Sequence, residues 1–109
     1  MAQKIDMEER IASLGKQMPE VMGALGRLHE EVTREGALST KTKELMMVAI
    51  AVAIRCEYCL WAHVPAAIKL GASREEILEA VSTAILMAGG PGAAYGSAVV
   101  LKILDEFEL

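Results

Sequence analysis

Aromatic residues make up only 4% of the chain, and prolines number 3 among 109 residues. So few rings do not furnish an aromatic-rich sheet core, whereas the excess of Ala, Leu, Ile, Val and Met suits close helix packing. Cationic surplus is missing as well. The 11 Lys and Arg against 15 Asp and Glu give a formal charge of −4, without the basic footprint of a nucleic-acid binder. No long hydrophobic run is present: the longest, Leu45 to Ile54, is half of the roughly 20 residues a bilayer span demands, so no membrane segment is expected. The opening MAQKIDMEER has no apolar h-region, from which no signal peptide and a cytoplasmic location are expected. Disorder is excluded, because 53% of the residues are hydrophobic and the net charge is small. The length fits one domain over residues 1–109.

Period-two alternation is also absent, and helical signals take its place. Ile5, Ile11, Ala12 and Leu14 recur among charged residues and predict an amphipathic helix from Lys4 to Lys16. Pro19 suits the first turn of a second helix running to about Arg34, with a stripe of Val21, Met22, Leu25, Leu28 and Val32 and a stop at Gly36. Ser39 or Thr40 can cap a third helix from about Lys41, whose stretch Leu45 to Ile54 is apolar on every side and is therefore expected at the centre of a bundle. A fourth helix is expected from Arg55, Cys56 or Glu57 to Leu70, closed by Gly71. Ser73 with Glu76 forms a capping box for a fifth helix carrying Ile77, Leu78, Val81, Ile85 and Leu86. Gly89-Gly90-Pro91-Gly92 reads as a tight interhelical turn before a last helix from about Ala93 to Phe107. The expected class is all-α, with five or six helices.

Both cysteines fall in one window, Arg55-Cys56-Glu57-Tyr58-Cys59-Leu60-Trp61-Ala62-His63. In a reducing compartment a Cys-x-x-Cys pair points to redox or metal chemistry rather than to a structural disulfide. Residues three apart share a helix face, so the two sulfurs can bond to each other, and His63 stands one turn beyond Cys59. Cys56 at a helix start would be favoured as thiolate by nearby N–H groups and the helix dipole, and Arg55 adds positive charge. A thiolate attacks peroxides or disulfides, and the second cysteine can resolve the product. Tyr58 and Trp61 flank the pair and are candidates to line a small site. Two alternatives stand beside this reading: cysteines that merely pack as small hydrophobes, and a zinc site. The second needs a fourth ligand, for which His29 and Glu44 are the candidates. Covalent haem attachment is excluded, because Leu60 follows Cys59.

Glu44 has a plain reading as an acid complementing the dipole of the third helix. A sharper reading depends on the chain's path. Along one straight helix Glu44 and Cys56 would be about 18 Å apart. If the chain instead reverses near Ala53 to Arg55, Glu44 and His63 stand almost symmetrically about the turn and a relay of Glu44, His63 and Cys59 becomes feasible. Approach from a neighbouring subunit is the other route.

Glu44, Cys56, Cys59 and His63 together match the pattern E-x11-C-x2-C-x3-H, and the chain thereby resembles the alkylhydroperoxidase D-like proteins of the carboxymuconolactone decarboxylase superfamily. The likeness runs from about Pro19 to the C-terminus and includes LSTKTKELMMVAIAVAIRCEYCLWAH and AILMAGGPGAAYGSAVVLKILDEF; residues 1–18 stand outside it. It implies an all-helical subunit that assembles into homotrimers or homohexamers. It also implies cysteines that cycle between dithiol and disulfide while reducing organic hydroperoxides. By position, Glu44 would be the relay base, His63 the relay histidine, Cys59 the attacking thiolate and Cys56 the resolving thiol. No cofactor is implied; the partners are a hydroperoxide and a dithiol or lipoyl-type electron donor. Better-studied members often carry His where this chain has Tyr58. The superfamily also contains carboxymuconolactone decarboxylases, whose site centres on a histidine and cations that hold carboxylates. That lyase reading and a non-catalytic helical assembly module are the alternatives to thiol chemistry.

The remaining conspicuous residues have plain readings. Met18, Met22, Met46, Met47 and Met87 are expected to fill gaps in the core. His29 beside Glu30 and Glu31 is expected in solvent. The glycine-rich run lacks the Lys-Ser/Thr ending of a phosphate loop. Tyr95 could pack near the site or at a subunit contact. An apolar fraction this high in so short a chain also fits burial between subunits.

Overall fold

The computed structural model describes residues 6–109, so the helix start expected at Lys4 and Ile5 lies outside the described residues. All regular structure among the described residues is helical, in six helices, the last interrupted by a π-helical segment. The chain divides into two compact units that meet at residues 34 and 35. No described helix is long and apolar enough to cross a membrane.

The first unit is a helical hairpin. Helix α1 (Met7–Gln17) starts at Asp6, whose carboxylate accepts the Glu9 N–H at 3.1 Å. Helix α2 (Pro19–Thr33) opens on Pro19, where a missing N–H costs nothing. It ends at Thr33 rather than at the expected glycine stop: Arg34 turns to extended backbone, and Gly36 has no left-handed φ. The Thr33 hydroxyl donates to the His29 carbonyl at 2.7 Å, and Arg34 pairs with Glu31. Neither helix buries a residue. The stripe Val21, Leu25, Leu28 and Val32 is about half exposed or more, and His29 is exposed as expected.

In the second unit, α3 (Thr40–Ala53), α4 (Glu57–Lys69) and α5 (Arg74–Ala88) pack with the final helix around one core. Ser39 caps α3 through the Thr42 N–H at 3.0 Å. The capping box of Ser73 and Glu76 forms as the sequence predicts, and Lys41 meets Glu76 at 3.0 Å, tying the starts of α3 and α5. These N–H and ammonium donors hold the Glu76 carboxyl below its ordinary range, the Ser73 backbone contributing most. Arg74 reaches Asp105 at 3.4 Å and the Leu109 carbonyl at 3.1 Å, which fastens the end of the chain to the start of α5.

The core consists of Val48, Val52, Leu60, Val64, Ile77, Val81, Val100, Ile103 and Leu104 with four alanines. Burial of each large aliphatic side chain contributes roughly 1.5–3 kcal/mol. No aromatic residue is among them; Trp61 and Tyr95 pack against the core from its edge. Two expectations fail here. Helix α3 is not covered all round, since Met46, Ile50 and Ile54 form an exposed stripe at i, i+4 and i+8. Met18, Met46 and Met87, 41%, 47% and 83% exposed, do not fill core gaps.

The last helix also starts earlier than expected. Gly89 alone makes the turn, at φ 71°, and α6 (Gly90–Tyr95) takes Pro91 into its first turn. A π-helical segment (Gly96–Val100) then leads into α7 (Leu101–Glu106). The close approach to α5 explains two glycines. A Cβ on Gly92 would lie 3.1 Å from the Ala84 carbonyl oxygen, and one on Gly96 only 2.9 Å from Val81.

Candidate active site

The site is assembled by the turn between α3 and α4. Arg55 N–H donates to the Val52 carbonyl at 3.1 Å, and Cys56 N–H to the Ala51 carbonyl at 2.9 Å. This is a paired C-cap with Arg55 in the left-handed region at φ 59°. The same pair closes α4, where Gly71 donates to Ile68 and Ala72 to Ala67, with Gly71 at φ 93°. The chain therefore reverses where the sequence allowed it, and α4 runs back along α3.

Cys56 is the N-cap of α4. Its Sγ accepts the Cys59 N–H at 3.2 Å, in the place where Ser, Thr or Asp usually stands. The two cysteines form a disulfide with a Cα–Cα separation of 5.2 Å. Both are partly buried, and Cys59 packs against the core.

The reversal brings Glu44 to His63. Glu44 Oε1 lies 2.8 Å from His63 Nδ1 within one subunit, across 19 residues of sequence. Glu44 is 4% exposed and is the buried charged residue among those described, while His63 keeps 22% of its side chain open. A charge so deeply placed requires a partner, which the imidazole supplies. With Glu44 as the carboxylate, Nδ1 is the donor, so the neutral ring presents Nε2 as an acceptor. Cys59 lies one helical turn before His63 on α4.

The two flanking aromatics separate. Trp61 is partly buried and its indole N–H donates to Glu57 Oε2 at 3.4 Å, whereas Tyr58 is about half exposed. Tyr95 packs on the core. An open groove of about 480 Å³ follows on α4, lined by Ala62, Pro65, Ala66, Ile68, Lys69 and Phe107. Among the described residues no group of three or more His, Cys, Asp and Glu side chains is placed to hold a metal ion. Sequence reasoning missed the left-handed Arg55, because that position commonly signals itself by glycine, and it missed the Trp61–Glu57 contact.

The sequence pattern of the carboxymuconolactone decarboxylase family matches residues 19–102. An uncharacterised protein of Cupriavidus necator is 35% identical over 92 residues, covering 84% of this chain and 81% of that one. The apo crystal structure of a carboxymuconolactone decarboxylase family protein from Legionella pneumophila superposes with a TM-score of 0.90 at 40% identity, over 95% of this chain and 92% of that one. A Thermotoga maritima family protein with a suggested part in an antioxidative response superposes with a TM-score of 0.74 at 27% identity, over 91% and 90% of the two chains.

Proposed function

The chain belongs to the carboxymuconolactone decarboxylase family, and within it we propose that the protein is a thiol-dependent peroxidase that reduces organic hydroperoxides through Cys56 and Cys59. The observation that carries the reading is the 2.8 Å contact of Glu44 and His63 one turn beyond a bonded Cys-x-x-Cys pair. In the reduced protein, Nε2 of His63 takes the Cys59 proton, and Glu44 stabilises the imidazolium that results. The Cys59 thiolate attacks the terminal oxygen of the hydroperoxide. The O–O bond breaks, the alcohol leaves with the relay proton, and Cys59 becomes a sulfenic acid. Cys56 then attacks that sulfur, water departs, and the disulfide forms. A dithiol donor, free or on a lipoyl-type carrier, returns two electrons and two protons by thiol–disulfide exchange.

The suggested antioxidative part of the Thermotoga maritima relative supports this reading. Lactone decarboxylation has less support, because the buried charge beside His63 is an acid rather than cations that hold carboxylates. Peroxide consumption measured with dithiothreitol, dihydrolipoamide and a lipoylated carrier domain tests the proposal. Turnover is expected with at least one donor, and none with any of them overturns it.

We also propose a homotrimer or homohexamer. Exposed apolar stripes on α2, on α3 at Met46, Ile50 and Ile54, and on α5 at Leu86 and Met87, 84% and 83% exposed, support burial against other copies. Size exclusion with light scattering is expected to give three or six times 11.7 kDa. A monomer would contradict this.

A further inference from the structure

We propose that the groove along α4 holds the organic tail of the hydroperoxide, and that the tail it takes is an unbranched, uncharged alkyl chain. This deepens the peroxidase reading above and rests on it.

The groove begins one turn beyond the redox pair. On a helix that turns about 100° and rises about 1.5 Å per residue, Ala66 points about 20° and Ala62 about 60° to one side of Cys59, and His63 about 40° to the other. Cys59 therefore projects between the relay histidine and the groove. Ala62 starts the groove about 4.5 Å along the axis from Cys59, and Lys69 closes it at about 15 Å. A hydroperoxide whose terminal oxygen meets Cys59 has this channel in which to lay its tail, on the side away from His63.

The lining suits a chain of methylenes. At about 480 Å³ the groove has the size of a small-molecule site, and Ala62, Pro65, Ala66, Ile68 and Phe107 give it carbon surface. The two alanines keep its floor low. Pro65 stands inside α4, where it forfeits the backbone bond to the Trp61 carbonyl and brings the groove a ring without an N–H donor. Phe107, just after α7, is 48% exposed.

Lys69 is the charged side chain in this lining, and it does not call for an anion. It stands in the last turn of α4, where its ammonium offsets the carbonyl end of the helix dipole and its methylenes extend the apolar wall. Asp105, Glu106 and Glu108 flank Phe107 in the sequence, so a carboxylate at that end meets acids as well as the lysine. An uncharged tail meets no such opposition. The chemistry is that given above: two thiols supply two electrons, and the hydroperoxide leaves as alcohol and water while the disulfide forms.

The test uses the reduced full chain and two series of n-butyl to n-dodecyl compounds. In the first, alkyl hydroperoxides are mixed with the protein and the rate constant of thiol loss is measured. Full burial of a methylene is worth about fourfold in binding, and cover on one side about twofold. The rate constant is therefore expected to rise about twofold per methylene and then level off once the chain reaches Lys69. Ala66→Leu, which fills the groove, and Phe107→Ala, which removes its aromatic wall, should each flatten that rise. In the second series, affinities of the 1-alkanols, the unreactive products, are measured by calorimetric titration and should rise with the same slope. No length dependence in either series with the parent protein would overturn the proposal, as would an undiminished slope in both variants. Decanoate bound more than about threefold tighter than decanol would overturn the choice of an uncharged tail. An oligomer broken by Ala66→Leu with the slope intact would assign the groove to a neighbouring copy instead. The alkanol slope without thiol loss to any hydroperoxide would refute the peroxidase reading and leave the groove as a site for neutral chains.

Discussion

Cys59→Ser is expected to abolish dithiol-dependent hydroperoxide turnover, down to the uncatalysed background. The serine hydroxyl at neutral pH is neither ionised nor as polarisable as a thiolate, so no sulfur–oxygen bond can form at that position. Cys56→Ser should fail differently. Its Cys59 can still take one oxygen from one hydroperoxide, but the sulfenic acid has no resolving thiol and turnover stops after a single event. The fold should survive both changes. Serine is a good N-cap, so position 56 keeps its bond to the Cys59 N–H, and neither sulfur belongs to the buried aliphatic core. Steady-state peroxide consumption, followed by mass measurement of the spent proteins, separates the two outcomes. Full turnover by the Cys59→Ser protein would remove that residue from the attacking role.

Glu44→Gln is expected to slow turnover by about a hundredfold, within the range that a positioned acid–base group supplies. The amide is nearly isosteric and can still accept the Nδ1 hydrogen, so the 2.8 Å contact and the packing around this 4% exposed side chain should persist. What it lacks is the negative charge that stabilises an imidazolium once His63 has taken the Cys59 proton. His63→Gln removes the proton acceptor itself and should cost at least as much. The double variant should be little worse than either single one, because the two residues act as one unit. Rates of the single variants equal to the parent, at unchanged thermal midpoints, would show that the pair only holds α3 to α4. Glu44→Ala is the less informative change, since it leaves the imidazole without its partner and opens a cavity.

Local signals carried much of this organisation. The capping box at Ser73 and Glu76, Ser39 before α3, Pro19 at the start of α2 and Gly71 after α4 each mark a helix boundary through short-range chemistry. Spacing alone placed Cys56 and Cys59 within bonding reach. The Glu44–His63 contact was legible only as one of two routes, because it depends on whether the chain reverses at Arg55, and an arginine gives no local signal for a left-handed turn.

Other features were hidden for tertiary reasons. Gly90 and Pro91 enter a helix because the close approach of the last helix to α5 at Gly92 and Gly96 decides that region, not the turn propensity of the tetrapeptide. The apolar run in α3 reads as buried all round, yet Met46, Ile50 and Ile54 stay exposed in the single chain. Hydrophobic pattern reports that a face is apolar, and says nothing of whether the same chain covers it.

The most direct test of the peroxidase reading is one turnover without any donor. Fully reduced protein is mixed with one equivalent of an organic hydroperoxide, and free thiols, protein mass and the organic product are followed together. The expected result is two thiols lost per hydroperoxide, one alcohol formed, and a protein lighter by two hydrogens with Cys56 joined to Cys59. Hydroperoxide left intact while both thiols remain free would contradict it.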